Sequence, residues 1–227
     1  MTPIKRLAVV VFSGGQDSTT CLAWARKQFD DVHALTFDYG QRHAVELQAA
    51  RDVAEHLGVK HTVADLSAFG KLSASALTRA DVDVATGGGL HDLPSTFTPG
   101  RNLVFLTMAA SYAISVGSRD LITGVCETDY SGYPDCRRQT IDALEKAINL
   151  GNGLDDFQIH TPLMFLNKAQ TVALAQGLGA LDALALSHTC YMGARPACGM
   201  CPACVLRLKG FAEAGVTDPI AYAPSVG

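Results

Sequence analysis

Apolar and polar positions alternate in blocks along this chain. Leu7 to Phe12 is an unbroken apolar run that stops at Ser13-Gly14-Gly15. That is the pattern of a strand buried on both faces of a parallel sheet. Residues 18 to 28 predict a helix, with Leu22, Ala25 and Phe29 at helical spacing. Val32 to Asp38 is a second strand and Ala44 to Leu57 a second helix, stopped by Gly58. Val59 to Leu66 is a third, weaker strand. Strand and helix therefore alternate through the first third, which predicts an α/β fold with a doubly wound, mainly parallel sheet.

Residues 67 to 100 are less regular and hold Gly87-Gly88-Gly89, Pro94, Pro99 and Gly100. They predict loop, with a short helix near 70 to 78. Beyond them the pattern predicts a buried helix over Asn102 to Val116 and a strand over Asp120 to Val125. A helix over Arg137 to Leu150 and a short strand over Phe157 to His160 follow. Helices over Asn167 to Leu178 and about 203 to 214 complete the chain. No repeat and no linker stands out. The simplest organisation is an α/β domain over 1–186 with a C-terminal extension over 187–227.

Charge narrows the partners. Eighteen Lys and Arg against 22 Asp and Glu leave a net −4, and no basic block appears. A broad nucleic-acid surface is disfavoured. The apolar run at the N-terminus is too short for a signal h-region or a membrane span, so the expected setting is cytoplasmic, without a membrane partner.

Ser13-Gly14-Gly15-Gln16-Asp17-Ser18 lies between the first strand and a helix, where open parallel sheets bind ligands. Glycines admit an anion close to the backbone, and the helix start offers free N–H groups and a positive dipole end. Ser13 and Ser18 can donate to phosphate oxygens. A carboxylate at Asp17 suits a polyphosphate only with Mg²⁺ between them. The loop is neither a Walker A motif nor a dinucleotide fingerprint. On local chemistry alone a plain Ser-capped turn is the rival.

Seven cysteines are present, and Cys190, Cys198, Cys201 and Cys204 form C-x7-C-x2-C-x2-C. Four thiolates suit tetrahedral Zn²⁺ in a closed, structural site, with an iron–sulfur cluster as the chemical rival. Cys21 reads as a core residue. Cys126 and Cys136 flank a candidate loop.

Other candidates cluster at predicted strand ends. Asp38 and Tyr39, in Phe37-Asp38-Tyr39-Gly40-Gln41-Arg42-His43, are placed to hold adenosine or else form a polar turn. Arg101 and Asn102 open the apolar helix, and the Arg fork suits carboxylate or phosphate, with a plain surface arginine as the rival. Asp129, Tyr133, Asp135 and Arg137 bring carboxylates, an aromatic ring and a cation into one loop, where a purine-like ring can stack and donate, with an ordinary flexible loop as the rival. Lys168 either approaches a leaving pyrophosphate or is a solvated helix residue.

Ser-Gly-Gly-x-Asp-Ser after a first strand resembles the signature of the PP-loop ATP pyrophosphatases. Taken with Asp38-Tyr39-Gly40-Gln41-Arg42-His43, Pro99-Gly100-Arg101-Asn102, Tyr130 to Arg137, Thr161-Pro162-Leu163 with Lys168, and the four cysteines, the chain closely resembles the QueC family from about residue 7 to 215. The resemblance implies a ligase that converts 7-carboxy-7-deazaguanine and ammonia to 7-cyano-7-deazaguanine. ATP would be spent as AMP and pyrophosphate through adenylated acid and amide. It implies an ATP site of Phe12, Ser13, Gly14, Gly15, Gln16, Asp17, Ser18, Thr19, Thr20, Cys21 and Leu22, joined by Asp38 and Tyr39. Catalysis would fall to Asp17, Ser18 and Lys168. Arg101, Asn102, Asp129, Tyr133, Asp135 and Arg137 would hold the substrate. Mg²⁺, one structural Zn²⁺ and a homodimer are implied with them. A tRNA-modifying PP-loop enzyme would use the same loop but add a basic tRNA-binding extension, and a non-catalytic ATP sensor would bind without forming AMP.

Overall fold

The computed structural model describes residues 5–41, 45–72, 75, 95–128 and 133–224. Five parallel strands form one sheet: β1 (Leu7–Val11), β2 (Asp31–Asp38), β3 (Lys60–Asp65), β4 (Asp120–Ile122) and β5 (Gln158–His160). Their order is β3-β2-β1-β4-β5. The winding therefore reverses between β1 and β4, and a crevice opens beyond their carboxyl ends.

Alternation along β1 sets the two layers. Ala8, Val10 and Phe12 face helices α1 (Gln16–Gln28) and α2 (Val45–His56), packing on Leu22, Ala25, Ala50 and Val53. Val9 faces the other way, with Leu35 and Phe37, toward α4 (Arg101–Ser115) and α5 (Arg138–Asn152). Leu106, Ala109, Ala110 and Ala113 form the buried face of α4. The short helix α3 (Ser67–Leu72) packs near Tyr39, and a Cβ on Gly70 would fall 1.7 Å from the Tyr39 carbonyl oxygen.

The C-terminal third wraps the α1 side. Helices α6 (Lys168–Gly177), α7 (Leu181–Leu186) and α8 (Pro202–Glu213) bury Val172, Ala175, Leu184 and Phe211 together with Ala23 of α1. Arg207 of α8 is 1% exposed. Its guanidinium grips Asp218 at 2.8 and 2.9 Å and also donates to the hydroxyls of Ser187 and Thr189. Buried cations persist only when paired in this way.

The sequence pattern and the structure differ in detail. Helix α1 starts at Gln16, two residues before the expected start, because the loop itself turns into the helix. Strand β4 stops at Ile122, and Thr123 to Cys126 beyond it line the crevice. Of the expected helix near 70 to 78, residues 70–72 belong to α3, and 73, 74 and 76–78 lie outside the described residues. Helix α7 was not expected. Among the described residues no helix is long and apolar enough to cross a membrane.

Candidate functional site

The loop after β1 folds on its own hydroxyls. Ser18 Oγ accepts from the Ser13 N–H at 3.2 Å, lies 3.1 Å from Ser13 Oγ and donates to the Gly15 carbonyl. Ser13 Oγ accepts from the Gly15 N–H at 3.3 Å. Gly15 is the N-cap of α1, with no side-chain cap. The first turn of this 13-residue helix lines the crevice, and the free N–H groups of a helix start suit an anion there. Gly14 takes φ +77°, and a Cβ there would lie 2.5 Å from the Ala50 nitrogen, so α2 seats against a bare backbone.

A charge pair spans the crevice. Lys168, at the start of α6, donates from Nζ to Asp17 Oδ2 at 2.5 Å. Asp17 Oδ1 is buried with no hydrogen-bond partner. Two glycines permit this approach. A Cβ on Gly210 of α8 would fall 2.6 Å from Lys168 Cβ, and one on Gly124 would crowd Asp17 at 3.3 Å.

At the other end lies Arg101, half-buried at the start of α4. Burial works against its charge, but Tyr39, Tyr191, Asp135 and Cys136 around it hold its pKa above the ordinary value. Tyr39 accepts a hydrogen bond from Arg101 while burial pushes its phenol up. Glu46, in the first turn of α2, is lifted to about 7 by burial against the pull of Arg101. The Tyr133 hydroxyl shares a 2.6 Å hydrogen bond with Thr96. Asp135 accepts from the Asn102 N–H at 3.2 Å and so caps α4, while Asn102 Nδ2 lies 3.2 Å from Cys136 Sγ.

One cavity of about 1090 Å³ joins these two ends. Pockets for one drug-sized ligand run from about 300 to 1,000 Å³, so this cavity lies at the top of that range. Of the sequence candidates, Phe12, Ser13, Gly15, Gln16, Asp17, Ser18, Tyr39, Arg101, Asn102, Tyr133 and Lys168 line it. Gly14 supports the loop from behind. Thr19, Thr20, Cys21 and Leu22 are buried in α1 and face the core, since a helix shows the crevice only its first turn. Asp38 instead accepts from the Gly40 N–H at 3.1 Å. Asp135 is occupied as a cap, and Arg137 is exposed at the N-cap of α5, outside the lining. Asp129, Arg42 and His43 lie outside the described residues. The sequence reading missed Glu46, Thr96, His188, Thr189 and Tyr191, all in the lining. Only tertiary packing brings them there.

The sulfurs of Cys190, Cys198, Cys201 and Cys204 lie within 4.8 Å of one another. A tetrahedron with Zn–S of about 2.3 Å sets sulfurs about 3.8 Å apart. Cys198 and Cys204 already sit at 3.9 Å, so the set fits Zn²⁺. Backbone N–H groups of Met200 and Cys201 donate to Cys198 Sγ at 3.4 and 3.3 Å, as suits a thiolate. His188 also links the cluster to the loop after β1, because it donates its N–H to the Gly14 carbonyl at 2.9 Å and its ring lies 3.0 Å from the Cys190 carbonyl.

The model of the family "Queuosine biosynthesis protein QueC" matches residues 7–215. A protein from Laribacter hongkongensis called 7-cyano-7-deazaguanine synthase is 58% identical over 94% of this chain and 93% of its own length. The protein of that name from Bacillus subtilis is 53% identical over 92% of this chain and 95% of its own. Among solved structures, a "predicted subunit of tRNA methyltransferase" from Methanocaldococcus jannaschii is similar with a TM-score of 0.51 and 23% identity, covering 75% of this chain and 74% of that one. At that identity the likeness concerns the fold alone. The family match and the synthase relatives, each spanning nearly the whole chain, assign it: this chain belongs to the QueC family of queuosine biosynthesis proteins and is an enzyme.

Proposed function

We propose that the protein makes 7-cyano-7-deazaguanine from 7-carboxy-7-deazaguanine, ammonia and two ATP, releasing two AMP and two pyrophosphate. The observation that carries this reading is that one cavity holds an anion-ready helix start, the Lys168–Asp17 pair and half-buried Arg101. A carboxylate is a poor electrophile, because hydroxide is a poor leaving group. A carboxylate oxygen attacks the α-phosphate, pyrophosphate leaves, and the acyl-adenylate forms. Ammonia displaces AMP to give the amide. The amide oxygen then attacks a second ATP, and loss of AMP and protons leaves the nitrile. Both activations are oxygen attack on an α-phosphate, so one site serves both.

In this reading Ser13, Ser18, Gly15 and the first α1 N–H groups cradle pyrophosphate, with Gly14 as the hinge of the loop. Lys168 stabilises charge on the leaving group, and Arg101, Asn102 and Tyr133 hold the deazaguanine acid. Preorganised donors of this kind supply most of the acceleration in such reactions. Asp17 would hold Mg²⁺, directly or through water, and its partnerless buried Oδ1 fits that role. The ion would supply charge neutralisation on the polyphosphate. Zn²⁺ on the four cysteines would hold the 187–227 extension against the 1–186 body. The reading includes a cytoplasmic homodimer with small-molecule substrates and no nucleic-acid or membrane partner, in keeping with a net charge of −4.

The test is mass spectrometry after incubation with 7-carboxy-7-deazaguanine, MgATP and ammonium chloride. Nitrile and AMP should appear with the native enzyme and be absent with Asp17→Asn. A folded, metal-loaded sample that forms neither would refute the assignment.

A further inference from the structure

The four-cysteine loop does more than close on a metal. Tyr191 follows Cys190 directly, and its ring packs against the core of Cys190, Ala197, Cys201 and Cys204. Its backbone N–H donates toward the Cys201 sulfur. Cys190 is tied in turn, its carbonyl accepting from Gly193 at 3.0 Å and its sulfur from the Cys198 N–H at 3.5 Å. From this rigid base the Tyr191 side chain enters the cavity. Its phenol there lies within the electrostatic reach of Tyr133, Arg101 and Glu46 at one end and of Lys168 at the other.

That position has chemical meaning. If Arg101 holds the deazaguanine acid and Lys168 faces the phosphates, the reacting carboxyl carbon lies between those two cations, and Tyr191 lines the same cavity within the field of both. Tyr39 is engaged with Arg101, and Tyr133 shares its hydroxyl with Thr96. A phenol both donates and accepts. It can donate to the carboxylate oxygen that does not attack ATP, and accept from the amide N–H₂ in the second activation. No lysine or arginine could serve both forms, because neither accepts.

We propose that Tyr191 contacts the reacting carboxyl and amide groups of the substrate, and that the four-cysteine cluster is what carries it to them. This rests on the synthase reading above.

The test compares Tyr191→Phe with the native protein, both metal-loaded. Zinc content, thermal midpoint and the Kd for ATP should be unchanged within about twofold. The Kd for 7-carboxy-7-deazaguanine, measured by calorimetry without turnover, should rise about ten- to a hundred-fold, the range for a lost hydrogen bond to a charged group. The amide should accumulate during turnover. Native protein stripped of zinc should lose at least as much affinity for the acid. If the Phe variant binds the acid as tightly as native, or loses its zinc, or if stripped protein binds undiminished, the proposal is overturned. If native protein itself does not bind the acid, it is the synthase reading that fails.

Discussion

Lys168 and Asp17 meet at 2.5 Å although 151 residues separate them. Their contact joins the first loop of the sheet to the first turn of α6, at the point where a departing pyrophosphate would lie. Asp17 keeps 28% of its side-chain surface exposed, so the pair contributes only about 1 kcal/mol to stability. In the proposed reading its value is in catalysis. Lys168→Ala should lower kcat about 100-fold or more, as loss of one preorganised donor does, while the thermal midpoint moves by a few degrees. Gly210→Ala should reproduce part of that loss, since its methyl would displace Lys168. Steady-state kinetics beside calorimetry check both.

Gly14→Ala should fail twice. Positive φ costs an L-residue about 1–2 kcal/mol, and the methyl also meets the Ala50 nitrogen at 2.5 Å. Helix α2 must then shift away from the loop. Lower stability and weaker ATP binding are expected together in denaturant titration and nucleotide binding, whereas Gly151→Ala, where nothing crowds the new methyl, should leave ATP binding intact.

Arg207 gives a prediction about the C-terminal extension. It is 1% exposed and ties Asp218, Ser187 and Thr189 together. Arg207→Ala leaves a buried carboxylate uncompensated, which costs about 3–5 kcal/mol. The thermal midpoint should drop by roughly 10 °C. Arg207→Lys should not restore it, because an ammonium cannot make the two parallel bonds to Asp218.

Stability should also carry a signature of Glu46. Burial raises its folded pKa to about 7, above the ordinary 4.5. From about pH 4.5 upward the unfolded chain releases this proton first, so the folded state is favoured less as pH rises to about 7. Native protein should lose up to roughly 3 kcal/mol across that window relative to Glu46→Gln, whose side chain does not titrate. Unfolding free energies of the two proteins measured from pH 4.5 to 8 check the sign.

Much of this architecture is legible in sequence because its signals are local. The apolar run at Leu7 to Phe12, the glycines at 14 and 15 and the cysteine spacing each act within a few residues. So the parallel sheet, the anion loop and the four-thiol cluster all follow. Helix α7 escapes because Leu181 to Leu186 is a short apolar stretch just past Gly179, where helix and turn look alike. Glu46 and Tyr191 escape for another reason: nothing beside them in sequence hints that α2 and the cysteine loop converge on Arg101. Asp135 and Arg137 look like ligand groups in the linear pattern, yet the start of α4 occupies one carboxylate and the start of α5 turns the cation outward.

The central claim is that two successive adenylations occur in this one cavity. It is tested most directly by following oxygen. With both carboxylate oxygens of 7-carboxy-7-deazaguanine labelled with oxygen-18, each turnover should give unlabelled pyrophosphate, one nitrile and two AMP, and each AMP should carry one labelled oxygen. Label appearing in water or pyrophosphate, or only one labelled AMP for each nitrile, would contradict the account.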